Sequence, residues 1–195
     1  MKKKENLLPL IIVAGVLVVG IGIAYAALST TLTITFGNVT QTALNWNVGF
    51  QGTTISGTPG GTSSTGRSCG TATVAQDTLS VTVADTTLSK PNDSCTYTLT
   101  VKNSGNIPAK LDNITPTAPS GITCGTISGG NMVCGNITYK LASNSDGSTI
   151  LPTNTTLAAS ETQTVYLVVK YTGTTTNSSS VTHTGATFTL NYIQD

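Results

Sequence analysis

Hydrophobic and polar positions divide this chain into two regimes. Residues 7–28, "LLPLIIVAGVLVVGIGIAYAAL", carry no charge and are almost wholly apolar. That run is long enough to cross a bilayer as a helix. From residue 28 onward, apolar side chains return at every second position, the spacing of a half-buried strand.

Leu28, Leu32, Ile34 and Phe36 share one face of an extended segment that only Thr30 interrupts. Leu44, Trp46, Val48 and Phe50 repeat the pattern, followed by Leu79, Val81 and Val83, then by Cys95, Tyr97, Leu99 and Val101. "NSGN" at 103–106 predicts a turn into Ile107, Ala109 and Leu111. Residues 134–141 read as one strand with Ile137, Tyr139 and Leu141 inward. Val165, Leu167, Val169 and Tyr171 alternate strongly, as do Ala186, Phe188, Leu190 and Tyr192. Between the second and third of these groups, residues 51–70 form a Gly/Ser/Thr/Pro-rich stretch expected to be a mobile, solvated loop with one charge, Arg67.

No segment after Ala27 holds helical periodicity beyond a turn. Short strands separated by turn clusters, eight or nine in all, predict an all-β domain over residues 27–195. The expected architecture is an antiparallel β-sandwich of jelly-roll type, with a closed barrel as the alternative. It is preceded by an N-terminal hydrophobic signal or anchor helix within residues 1–26.

The N-terminus carries a second reading. Lys2, Lys3 and Lys4 precede the apolar run, and Ala24-Tyr25-Ala26 forms an A-x-A site before Ala27. This is the layout of a secretory signal peptide cleaved between Ala26 and Ala27. A retained anchor usually has charges on its far side, and here Ser29-Thr30-Thr31 follow, which favours cleavage. Either way the remainder is expected outside the cell, through signal peptidase and the export machinery, with membrane contact only through the N-terminal segment.

Cysteine usage agrees with export. Cys69, Cys95, Cys124 and Cys134 include no C-x-x-C, and the chain has one histidine, His183. Four cysteines permit three pairings. "CGTISGGNMVC" holds a Gly-Gly turn that brings Cys124 and Cys134 together, so this pairing is favoured, leaving Cys69 with Cys95. Each bridge is worth about 2–4 kcal/mol through restriction of the unfolded chain.

Charge removes one class of partner. Charged residues make up 9% of the chain, and beyond residue 26 six cations face seven acids. No basic surface is available to release counterions from phosphates, so nucleic-acid binding is not expected. Ser and Thr supply roughly three in ten residues, a bias that suits pleated, solvated surfaces.

Candidate chemistry is sparse. A zinc protease needs two imidazoles one helical turn apart with a glutamate base; this chain has one histidine, and Glu161 is its single glutamate after Ala27. A triad would require His183, set among polar residues with no nucleophile motif beside it. Asp77, Asp85, Asp93, Asp112, Asp146 and Glu161 are mostly isolated near turns, where carboxylates commonly cap backbone N–H groups. "NSDGS" at 144–148 lacks the ligand spacing and terminal glutamate of a calcium loop and reads as a turn. "LPTNT" at 151–155 lacks the Thr-Gly pair and the tail of a sortase signal. Six N-x-S/T sequons, at Asn38, Asn92, Asn113, Asn136, Asn154 and Asn177, carry little weight in so Ser/Thr-rich a chain. No catalytic residue, metal or cofactor is expected.

The segment from 27 to 36 is what remains to be explained. Burying Leu28, Leu32, Ile34 and Phe36 is worth about 6–12 kcal/mol, at about 1.5–3 kcal/mol each before ordering costs. Left exposed, such a strand is an aggregation hazard. It can pair within its own domain, or it can complete the sheet of a neighbour, and head-to-tail addition that does not close gives a filament.

Several stretches resemble the TasA/camelysin family. They are the leader end "GIAYA-ALST", the segment "FGNVTQTALNWNV", the stretch "LSKPNDSCTYTLTVKNSGNIPAKL" and the closing "ATFTLNYIQ". Asn92 stands where the family has Gly, and the four cysteines and low charge are departures. The resemblance implies an exported jelly-roll subunit of biofilm-matrix fibres or the related archaeal bundling pili, with residues 27–36 as donor strand and other copies of the chain as partners. The metalloprotease activity attributed to camelysin-type members is not carried over, since its ligands are missing. The alternative expectation is a membrane-anchored, monomeric surface sandwich whose 51–70 loop meets a glycan or protein.

Overall fold

The structure, a computed structural model, describes residues 44–61, 66–84, 86–175, 182–183 and 185–195. The apolar run, the Ala26/Ala27 site, and Leu28, Leu32, Ile34 and Phe36 lie outside the described residues.

Within them the chain is all-β, with no helix. Its first strands are β1 (Val48–Phe50), β2 (Thr54–Ser56), β3 (Thr58–Gly60), β4 (Thr71–Ala75) and β5 (Ser80–Val83). The middle of the chain gives β6 (Thr86–Thr87), β7 (Ser94–Asn103), β8 (Ala109–Thr117), β9 (Cys124–Ser128) and β10 (Asn131–Cys134). The remainder gives β11 (Ile137–Ala142), β12 (Thr156–Leu157), β13 (Thr162–Tyr171), β14 (Thr182–His183) and β15 (Ala186–Gln194).

Two antiparallel sheets pack in a sandwich-like arrangement. One runs β1-β7-β13-β11-β10-β9, with β3 also on β7; the other runs β12-β8-β15-β5-β4-β2. β14 and β6 make a separate two-stranded ribbon.

The longest strands build the core because their apolar alternation is cleanest. β7 and β13 pair Cys95 with Val169, Tyr97 with Leu167 and Leu99 with Val165, and all six are buried. The opposing sheet supplies Val81, Leu111, Ile114, Phe188 and Leu190. Each such side chain contributes about 1.5–3 kcal/mol through removal from water. Hydroxyls take the alternate positions: Ser80 and Thr189 hydrogen-bond at 2.9 Å and Thr82 and Thr187 at 3.1 Å, across β5 and β15. The Ser/Thr excess thus becomes a ladder of cross-strand polar pairs.

Buried polar groups fasten the turns. Asn103 is fully buried at the end of β7; its amide donates to Ile107 O (2.7 Å) and Leu157 O (3.1 Å) and accepts from Gly105 N. The "NSGN" turn is therefore tied to the core by its own first residue. The Tyr97 hydroxyl meets Thr86 Oγ1 at 3.0 Å inside the sandwich.

Both favoured disulfides form. Cys124–Cys134 closes the β9–β10 hairpin, which reverses at Gly129-Gly130, and Cys69–Cys95 ties the segment before β4 to β7. No described cysteine is free, which fits an oxidising extracellular setting.

Four expectations need correction. The composition of residues 51–70 predicts a loop, yet β2 and β3 form there and Ser68 bridges to Thr87. Gly57 explains why: a Cβ there would stand 2.7 Å from the Tyr97 ring, so only glycine lets the chain lie this close to β7. Residues 134–141 are two strands, split by a turn in which Gly135 has φ +57°. Leu44 and Trp46 precede the strand in which they were placed, and Leu79 sits in the β4–β5 turn with φ +49°. The described residues hold fifteen strands rather than eight or nine, because six have only two or three residues, at sheet margins or in the small ribbon, and the hairpin of β10 and β11 doubles one expected strand.

Candidate functional site

Most of the carboxylates sit as turn residues usually do, whereas Asp112, expected near a turn, lies within β8. Asp146 Oδ1 accepts from Ser148 N at 2.9 Å, which holds its carboxyl below the usual range, and Asn144 Oδ1 accepts from Thr149 N. Glu161 Oε2 accepts from Ala158 N at 3.0 Å. "NSDGS" is thus a closed turn, further secured where Lys140 Nζ donates to Gly147 O. Asp85 lies outside the described residues, while His183 pairs with Thr86 in the β14–β6 ribbon. Among the described residues no group of three His, Cys, Asp or Glu side chains is placed to hold a metal, and no helix is long and apolar enough to cross a membrane.

Asp93 differs from the other acids. It is fully buried, with Oδ2 accepting from Lys90 N (3.0 Å) and Ser89 N (3.4 Å) and Oδ1 facing the Arg67 guanidinium at 3.8 Å. Arg67 also donates to Gly60 O at 2.7 Å. The arginine expected on a solvated loop instead anchors β3 and the 89–93 turn, a structural role.

Two surface features remain as candidate sites. The first is a sheet edge. β9 ends its sheet, with β10 as its one strand partner among the described residues. Ile127 on it is 49% exposed, which is unusual for an isoleucine within a strand. Beside this edge lies a groove of about 570 Å³, lined by Ile114, Thr126, Ser128, Ile150, Leu151 and Pro152. The Cys124–Cys134 bridge pins the edge strand to its neighbour.

The second is a cleft of about 690 Å³ at the opposite margin of the same sheet, where the chain enters β1. Trp46, Gln51, Gln76, Asp77, Lys102 and Ser104 line it. Three segments build it: the approach to β1 with the β1–β2 connection, the β4–β5 turn and the end of β7. Gly49 pairs with Lys102 in register, and Gln76 Nε2 donates to Gly52 O at 3.1 Å, closing one end. The alternation "LNWNVGF" pointed to Trp46 as a core residue, yet the structure leaves it 38% exposed. The flanking asparagines, turn formers rather than strand residues, were the available signal.

Comparison with family models, with curated proteins and with solved structures finds no match to this chain.

Proposed function

We propose that the chain is an exported structural subunit of an extracellular fibre, of jelly-roll type, that assembles by strand addition. Residues 27–36 of one copy, cleaved from their leader after Ala26, pair with a sheet edge of the next copy. Leu28, Leu32, Ile34 and Phe36 provide the buried face of that strand.

The observation that carries this reading is the outer edge of β9. It joins a row of backbone groups to an exposed Ile127 and a neighbouring groove with Ile114, Ile150 and Leu151 in its lining. An added strand gains main-chain hydrogen bonds from such an edge and side-chain pockets at alternate positions. A disulfide on the edge strand resists its peeling away as the next subunit docks.

Electron microscopy of the chain beginning at Ala27, beside a chain beginning at Gly37, tests the proposal. Filaments from the first and none from the second are expected. Monodisperse particles from both, across varied pH and salt, would remove the fibre reading.

A further inference from the structure

The cleft at the entrance to β1 has no part in strand addition at β9, and its chemistry is specific. Trp46 is the chain's single tryptophan and is partly exposed. It does not hang from a loose tail. Asn45 N donates to Asn106 Oδ1 at 2.7 Å, and Asn106 N donates back to Asn45 O at 3.0 Å. Asn47 O accepts from Ser104 N (2.7 Å) and Gly105 N (3.2 Å). Gly105 permits this clamp, because a Cβ there would strike the backbone of Asn45 and Asn47. The indole is therefore carried on a backbone fixed from both sides, and a surface held in its binding geometry beforehand loses little freedom when a ligand arrives.

Around the indole stand Gln51 and Gln76, which can each donate and accept, the acceptor Asp77, the donor Lys102 and the hydroxyl of Ser104. Gly49 and Gly52 put no side chain into the space between them, and Gly52, at φ +82°, would have open surroundings even with a Cβ. One carboxylate and one ammonium balance, so the site selects no net charge. A ligand that matches has an apolar face for the ring and a perimeter of neutral hydroxyls that both donate and accept.

We propose that this cleft binds an uncharged oligosaccharide, stacked on Trp46 and hydrogen-bonded by Gln51, Gln76, Asp77 and Lys102. The inference does not depend on whether the chain polymerises. A wholly apolar peptide segment is a poorer fit, since it would leave these polar groups without partners.

Because Trp46 is the single tryptophan, its fluorescence reports on the cleft alone. The full-length protein is titrated with cellotetraose, mannotetraose and tetra-N-acetylchitotetraose while emission and acrylamide quenching are followed. At least one sugar is expected to give a saturable emission change and to shield the ring from acrylamide. Gln76→Ala should weaken that binding by about three- to tenfold, the loss of one or two hydrogen bonds. Gly49→Leu, which fills the cleft floor, should abolish it, and each variant's unfolding midpoint checks that the fold is intact. Flat titrations with all three sugars would overturn the proposal. So would affinities unchanged in both variants, or a ring already closed to acrylamide in the unliganded protein, which would show the cleft filled by the chain itself or by a second copy.

Discussion

The Arg67 guanidinium lies 3.8 Å from the buried carboxylate of Asp93. The same carboxylate caps Lys90 N and Ser89 N, and the arginine reaches Gly60 O, so three separate segments meet on one charge pair. No hydrogen bond reaches Asp93 Oδ1 among the described residues, so the Arg67 charge is what offsets its desolvation. Removing one partner of such a pair strands the other. Arg67→Met is expected to destabilise the fold by about 3 kcal/mol, and Asp93→Ala by at least as much because two backbone N–H groups also lose their acceptor. Urea denaturation of both single variants and the double variant checks this; the double should lose less than the sum of the singles.

Glycine positions give a prediction with an internal control. At Gly57 a Cβ would meet the Tyr97 ring at 2.7 Å and Cys69 Cβ at 2.8 Å, whereas at Gly49 the nearest atom would be Gln76 O at 3.5 Å. Gly57→Ala is expected to cost about 1–3 kcal/mol through overpacking. Gly49→Ala should stay within about 0.5 kcal/mol of the parent. Thermal melts of the two variants side by side decide it.

The two disulfides should differ in worth. Cys69 and Cys95 are 26 residues apart, Cys124 and Cys134 only 10. Loop-closure entropy predicts about 3–4 kcal/mol for the first and about 2–3 kcal/mol for the second. Serine replacement of each pair in turn, followed by denaturant unfolding, should give that order.

Stability should fall in alkali. Burial pushes the Tyr97, Tyr139 and Tyr192 hydroxyls above their ordinary value of 10.0, Tyr97 against a smaller opposing effect of its bond to Thr86. Their pKa values are raised in the folded state, so the contribution is fully present below pH about 10, the unfolded value, and is lost as pH rises further. Ionisation of these three hydroxyls, followed as tyrosinate absorbance at 295 nm above pH 10, should therefore coincide with loss of β circular dichroism.

The parts of this fold that were legible in sequence are those where one physical cause acts alone. Cys95, Tyr97, Leu99 and Val101 alternate because every second residue of β7 faces the core, and the pattern survives unaltered. β3, "TPG", has no apolar member beyond Pro59 and exists because Gly57 lets the chain approach Tyr97, a condition set from forty residues away. Trp46 shows the reverse: it keeps the period of two, but the clamp at Asn45 and Asn47 removes it from the sheet. The Arg67–Asp93 pair was hidden by its separation in the chain, though not wholly. Each residue lies two positions before a cysteine of the Cys69–Cys95 bridge, so the favoured pairing already placed the two charges side by side.

The clamp that fixes Asn45 and Asn47 to the 103–106 turn also sets how this domain bears a load. A pull on the chain ahead of residue 44 acts first on those few backbone hydrogen bonds and next on three-residue β1, whose Phe50 is seated at the margin of the core. Once they part, β2 on β4, β3 on β7 and the Arg67 contacts must give way in turn, and the 25 residues from 44 to 68 are then drawn out, roughly 85 Å at about 3.4 Å per residue, before tension reaches Cys69. There the bridge to Cys95 passes the force into β7, one of the two longest strands of the larger sheet and paired along its length with β13. The domain is thus built to yield by a limited length under tension and then hold, and a chemical reductant would turn that stop into continued unravelling.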